Sequence, residues 1–351
     1  MNLKYIAKRM AAMGLIGMLS LSCLTGCGKD SKIVFTTGLS GNQLFKIGST
    51  TCTKSEIMIY LTTFYNQYSD TYGEEMWHYD FGGVSLEQHV KDVVLSKMEQ
   101  IKIMNLMAEE REISLDEDEK AAVAIAAENY CALLEEDLKQ QEKITEEIVK
   151  EVFAEYTLAN KVYEEITESA DMEISDDEAR TVTAQVIYFK NWKIKNNEKV
   201  TVSEAEVLSI LKEAKEVLGK IGEGESFESL AVQYSDDKQV VKSFSRGSVE
   251  ESFEELLFSM DEGDLTDVIE REDGYYIVKC ISTMDYEATQ KNKKVLADKR
   301  KQEAFSKAYK EIAANTHSQF RDKQWEEIHL NEEIHNTDAN FFEIYEEYVK
   351  Q

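Results

Sequence analysis

Six of the eleven residues from Glu168 to Glu178 are acidic, and the apolar spacing changes on crossing them. Before this stretch, hydrophobic residues recur every three or four positions, the period of a helix with one buried face. Beyond it, Val182 to Phe189 alternates with the period of a strand. A chain that keeps the two periods apart reads as α+β, and the acidic stretch as a solvated, hinge-like boundary.

On the helical side, Thr53-Lys54-Ser55-Glu56 fits a capping box and is followed by Ile57, Leu61, Phe64, Tyr65 and Tyr68 at helical spacing. Ser85 opens a second helix with Val90, Val94, Ile101 and Met104 in its stripe. Ser114-Leu115-Asp116-Glu117 opens a third, expected to run to about Lys139, and a fourth carries Ile148, Val152, Tyr156 and Val162. On the other side a helix follows Ser203, a shorter one follows Ser226, and Tyr275 to Cys280 reads as a closing strand. Residues 287–324 read as helix again, and the tail with Trp325, Phe341, Phe342 and Tyr345 is expected to pack back on the first helical region.

Charge narrows the function. Lys+Arg total 40 against Asp+Glu 68, a net −28, so phosphate would be repelled and no nucleic-acid partner is expected. The 351 residues include no proline, where ~5% usage would supply about 17. No prolyl bond can therefore slow this chain's own folding.

The N-terminus reads as an export signal. Lys4, Lys8 and Arg9 precede an apolar run from Met10 to Leu24, too short to span a bilayer, where ~20 residues are needed. It ends in Leu24-Thr25-Gly26-Cys27, which resembles the bacterial lipobox; that resemblance implies lipidation of Cys27 and cleavage before it. Removing residues 1–26 leaves 37 basic against 68 acidic residues. The expected location is extracytoplasmic, lipid-anchored to the cell membrane. Residues 27–52, rich in Gly, Ser and Thr, read as a flexible tether. Cys52, Cys131 and Cys280 show no CxxC spacing, so no disulfide framework or metal site is implied, and they read as buried apolar residues.

The informative stretch is Gly224-Glu225-Ser226-Phe227-Glu228-Ser229-Leu230-Ala231-Val232-Gln233-Tyr234-Ser235-Asp236-Asp237. It resembles the G-x-x-F-x-x-L-A-x-x-Y-S-x-D signature of parvulin-type prolyl isomerases. Arg246 to Phe258, Glu262 to Thr266 and Gly274 to Lys279 are similar to three further motifs of that family, in the same order. Lipobox, helical region, parvulin-like insert and helical tail together resemble the PrsA-type foldase lipoproteins and, more distantly, SurA-like chaperones.

The resemblance implies a signal peptide over 1–26, a tether over 27–52, a helical chaperone region over 53–178 and a parvulin-like domain over 179–286. A C-terminal helical region over 287–351 would pack with the first. The fold class is α+β, a mostly helical body with an inserted small antiparallel sheet surrounded by helices. Substrate-binding positions fall on Val249 and Phe253, with Phe258 behind them. Asp237 falls beside the twisting carbonyl. The family's two facing histidines fall on Gln185 and Tyr276, and all five histidines here lie outside the insert. Gln and Tyr can still hydrogen-bond each other or Asp237. The family's glycine-rich loop is replaced by Gln239-Val240-Val241-Lys242.

Lys190, Lys193, Lys195 and Lys199 cluster beside Trp192 in what reads as a solvated loop, and the aromatic run Tyr60 to Phe81 reads partly as core and partly as a cradle for unfolded chains. The implied function is a membrane-anchored foldase with peptidyl-prolyl isomerase activity and no cofactor. Its partners are unfolded or newly exported polypeptides and proline-containing segments; a homodimer is left open. The alternative is a non-catalytic holdase or scaffold.

Overall fold

The computed structural model describes residues 38–80, 83–169, 173–330 and 338–350. Cys27, and with it the lipidation expectation, lies outside them, as do Phe81 and His335. The chain divides into two compact units, Met1–Ala170 with Lys301–Gln351, and Asp171–Arg300.

The first unit opens with a hairpin, β1 (Gln43–Ile47) and β2 (Thr50–Thr53). The expectation of a flexible tether is corrected here: Leu39, Leu44, Phe45, Ile47 and Cys52 are all buried. This holds for the described residues 38–52, where Gly48 and Ser49 form the hairpin turn and Thr50 and Thr51 lie on the edge strand β2. Gly48 turns it at φ +56°, where an added Cβ would lie 3.0 Å from Leu106 Cδ1. Next come α1 (Lys54–Tyr72), α2 (Leu86–Glu110), α3 (Glu117–Leu133), α4 (Glu136–Glu142) and α5 (Glu146–Glu168). The expected box at Thr53 and Glu56 caps α1. The third expected helix is in fact two. Asp116, not Ser114, caps α3, and Leu134 turns the chain in extended conformation before α4. Of the aromatic run, Tyr60, Phe64, Tyr65 and Trp77 are core, whereas Tyr72 and Tyr79 are 58% and 60% exposed.

The second unit builds a sheet from β3 (Thr181–Lys190), β6 (Val241–Ser245), β7 (Ile269–Arg271) and β8 (Gly274–Ser282), antiparallel throughout in the order β6-β3-β8-β7. A separate hairpin pairs β4 (Trp192–Lys195) with β5 (Glu198–Thr201). It carries Lys193, Lys195 and Lys199 of the four lysines that read as a loop, and Lys190 ends β3: Lys193 bridges Glu206 at 3.2 Å, while Lys190 and Lys199 lie over Trp192. Helices α6 (Glu204–Gly222), α7 (Phe227–Tyr234) and α8 (Glu251–Ser259) cover the sheet. Phe253 and Leu257 of α8 pack with Val182, Ala184, Val186 and Val278. Phe227, Leu230 and Val217 pack with Ile187, Phe189, Tyr275 and Ile277. Alternation along β3 and β8 thus feeds two cores. Gly274 starts β8 at φ +150°, and an added Cβ would stand 2.1 Å from the Phe189 carbonyl oxygen, so only glycine fits.

The long helix α9 (Tyr286–Asn315) stops nine residues short of the expected end at 324. Ser318–Phe320 is instead a strand, β9, paired with β1 through Phe45↔Phe320, and α10 (Asp322–Glu326) follows it. Such a short strand is set by a partner far away in sequence. The last helix, α11 (Phe341–Tyr348), plugs the helical core: Phe341 stacks on Phe153 at 4.2 Å and lies 4.8 Å from Tyr60. Its entry is fixed by Thr63 Oγ1, which accepts from the Phe341 amide at 3.1 Å.

Candidate functional site

The register of β3 against β8 decides which expected residues can meet. Tyr188 lies opposite Tyr276, Val186 opposite Val278, and Gln185 opposite Lys279. Tyr276 and Val278 belong to the face covered by α8. Gln185 is odd-numbered like Ile187 and Phe189, and so lies on the other face. Pairing of Gln185 with Tyr276 is therefore corrected. Val186, one residue on, takes the shared face, and its side chain can neither donate nor accept a hydrogen bond. A shift of one residue moves a side chain through the sheet.

Tyr276 is half-buried, stacked on Tyr188 at 4.7 Å and 5.7 Å from the buried ring of Phe253. Its hydroxyl donates to Asp273 Oδ2 at 2.8 Å. Burial, then this carboxylate, pushes the Tyr276 pKa up, so the phenol stays protonated. Tyr188 donates to the Asp273 carbonyl at 2.8 Å and accepts from Trp192 Nε1 at 2.9 Å. Arg271 completes the group. Its guanidinium lies 4.4 Å from the Phe253 centroid and 5.3 Å from that of Tyr276. The pairing explains its placement: Ile269 is opposite Tyr276, and Arg271, two residues on, shares that face. Phe253, Arg271 and Asp273 line a groove of about 770 Å³ together with Trp192, Lys199, Glu250 and Leu256, and the Tyr276 and Tyr188 rings pack behind it. Val249 is partly buried against the same core.

Asp237 and Phe258 do not line this groove. Asp237 Oδ2 meets Lys242 Nζ at 2.5 Å and Oδ1 accepts from the Gln239 amide at 2.9 Å. Those contacts, the lysine first, hold its carboxyl below the usual range. Its loop is tied to β3, since the Asp236 amide donates to the Tyr188 carbonyl at 2.8 Å. Phe258, near the other end of α8, is sandwiched by Arg180 at 4.9 Å and Arg246 at 4.7 Å. The structure therefore gathers Val249, Phe253, Phe258 and Tyr276 around one core, and it adds Tyr188, Trp192, Arg271 and Asp273. The sequence reading missed these four. Arg271 and Asp273 stand in a charged run, Glu270 to Asp273, that resembles an ordinary solvated turn.

A sheet flanked by helices, with an aromatic floor under α8, defines a class. Residues 194–282 match the family described as Rotamase, the PPIC-type PPIase domain, so the second unit carries a parvulin-type domain. The matched stretch begins after β3, the strand that bears Gln185 and Val186.

The chain as a whole is a homologue of the PrsA foldase proteins. It is 24% identical over 346 residues to foldase protein PrsA of Clostridium acetobutylicum, covering 91% of this chain and 95% of that one. Against the PrsA of Caldanaerobacter subterraneus the identity is 24% over 217 residues, which is 60% of this chain and 62% of the relative. Among solved structures, PrsA from Bacillus cereus aligns over 90% of this chain and 97% of its own, at 17% identity and a TM-score of 0.36. A Campylobacter jejuni structure described as one of two SurA-like chaperones aligns over 80% and 99%, at 13% identity and a TM-score of 0.28.

Proposed function

We infer that the protein is a membrane-anchored, extracytoplasmic foldase that binds exported polypeptides and turns their prolyl bonds in the groove over Phe253. The observation that carries this reading is the aromatic floor: Phe253 lines an open groove and is backed by the half-buried ring of Tyr276, 5.7 Å away. Prolyl rotation makes and breaks no covalent bond. A barrier of ~18–20 kcal/mol falls if the site holds the ring in apolar surroundings and favours the twisted amide. Phe253 and Val249 supply the apolar surface. Asp237 acts through the loop it anchors beside β3.

In the helical unit, exposed Tyr72 and Tyr79 offer amphipathic rings to unfolded segments. Cys27 would carry the acyl chains, two of which suffice for stable anchoring. The anchor is tested by blocking lipoprotein processing, and an unaltered mature size would remove Cys27 from its role.

A second reading, a non-catalytic holdase, is favoured by one observation: the hydroxyls of Tyr276 and Tyr188 are both already donated to Asp273. A protease-coupled proline-peptide assay on the full chain separates the two. Acceleration over the uncatalysed rate is expected, and Phe253→Ala should abolish most of it. A wild-type rate equal to the uncatalysed one would leave only the holdase.

A further inference from the structure

We propose that Arg271 is a catalytic residue of this groove, donating a hydrogen bond to the prolyl nitrogen as the amide twists. The assignment rests on the isomerase reading above and deepens it.

Twisting an amide withdraws the nitrogen lone pair from the carbonyl, so the nitrogen becomes an acceptor only near the transition state. A donor aimed there strengthens as the barrier is climbed, which is the condition for catalysis rather than mere binding. Most side-chain donors in and beside the groove are committed. The Tyr276 and Tyr188 hydroxyls serve Asp273, Trp192 Nε1 serves Tyr188, Ser252 serves Glu250 at 2.6 Å, and Lys242 serves Asp237. Lys199 rests on a ring as Arg271 does, but on Trp192, 4.6 Å from its centroid, and not on Phe253. Arg271 alone lies on the aromatic floor, and among the described residues it makes no hydrogen bond or ion pair within the protein.

A guanidinium also suits the task because it presents several N–H groups in a plane and stays charged at every working pH. Phe253 is only 3% exposed with Arg271 over it. A prolyl ring that reaches Phe253 must therefore displace the guanidinium to the side, where its in-plane N–H groups can point at the amide nitrogen. Arg271 thus acts twice, covering the floor when the groove is empty and donating when it is filled.

The test is a KM-against-kcat split on proline peptides, using the full chain and the variants Arg271→Ala and Arg271→Lys. Removing a transition-state donor should lower kcat by about 10- to 100-fold. KM should be unchanged or lower, because Phe253 is uncovered. Arg271→Lys should fall between the two, and unchanged melting temperatures would exclude misfolding as the cause. An Arg271→Ala kcat equal to or above wild type, on an active wild-type protein, would overturn this assignment and leave the isomerase reading intact. A raised KM with unchanged kcat would make Arg271 a binding residue only and also overturn it. No acceleration by wild type would end both.

Discussion

Each of the two units holds a cation among aromatic or apolar groups, and the two are treated in opposite ways. In the helical unit, Lys102 is 1% exposed and meets Glu56 at 2.7 Å and Glu155 at 2.6 Å. Burial alone would lower its pKa, but Glu155 and Glu56 outweigh burial and raise it. In the second unit, Arg271 lies half-buried on two rings with no carboxylate paired to it among the described residues. A fully partnered buried charge holds helices α1, α2 and α5 in place. An unpartnered one at a groove keeps its hydrogen-bonding capacity for something else.

The largest expected effect breaks the partnered side. Lys102→Met would leave two carboxylates facing each other without a cation. It should cost about 3–5 kcal/mol in urea unfolding, the range for breaking a buried pair by removing one partner. A loss under about 1 kcal/mol would show that the triad adds little, and the contrast between the units would fail.

Lys97 sharpens the contrast from within the helical unit, because it is buried without an ion pair among the described residues. Its ammonium lies 5.5 Å from the Tyr156 ring and 5.1 Å from the Phe342 ring, and burial pushes its pKa down to about 8. The unfolded value is near 10.4, so between pH 8 and 10.4 the unfolded chain binds more protons and stability rises with pH. Lys97→Met should stabilise the protein by about 2 kcal/mol at pH 7 and remove that rising limb. Equal slopes in wild type and variant over that window would show that the rings already compensate the charge.

How much of this was legible depended on how local the signal is. The box Thr53/Glu56 lies within four residues and the structure forms it, and the helix expected after Ser203 opens there, closed by a box with Glu206. The floor of the groove, Phe253 and Tyr276, came from ordered motifs. What failed was whatever a distant partner decides. Strand β9 exists because β1 lies alongside it, 271 to 275 residues earlier in the chain. Gln185 and Val186 differ only in the face that pairing with β8 assigns them. Arg271 reads as one more charge among Glu270, Glu272 and Asp273 until β7 pairs with β8 and carries it over the aromatic floor.

The smallest expected effect concerns Asp237, whose side chain is 36% exposed and paired with Lys242 at 2.5 Å. A pair so near solvent contributes at most about 1 kcal/mol. With its pKa held low, the contribution is present above the unfolded value and is lost as pH falls through the folded one. Asp237→Asn keeps an acceptor for the Gln239 amide while ending the ion pair, so the loop should hold its course beside β3. The expected change in proline-peptide turnover is below about threefold, far less than the loss expected from Arg271→Ala. The comparison is exposed to a clear reversal. If Asp237→Asn lowers kcat by tenfold or more while Arg271→Ala does not, the carboxylate is the working polar group. The free guanidinium would then be only a cover for Phe253.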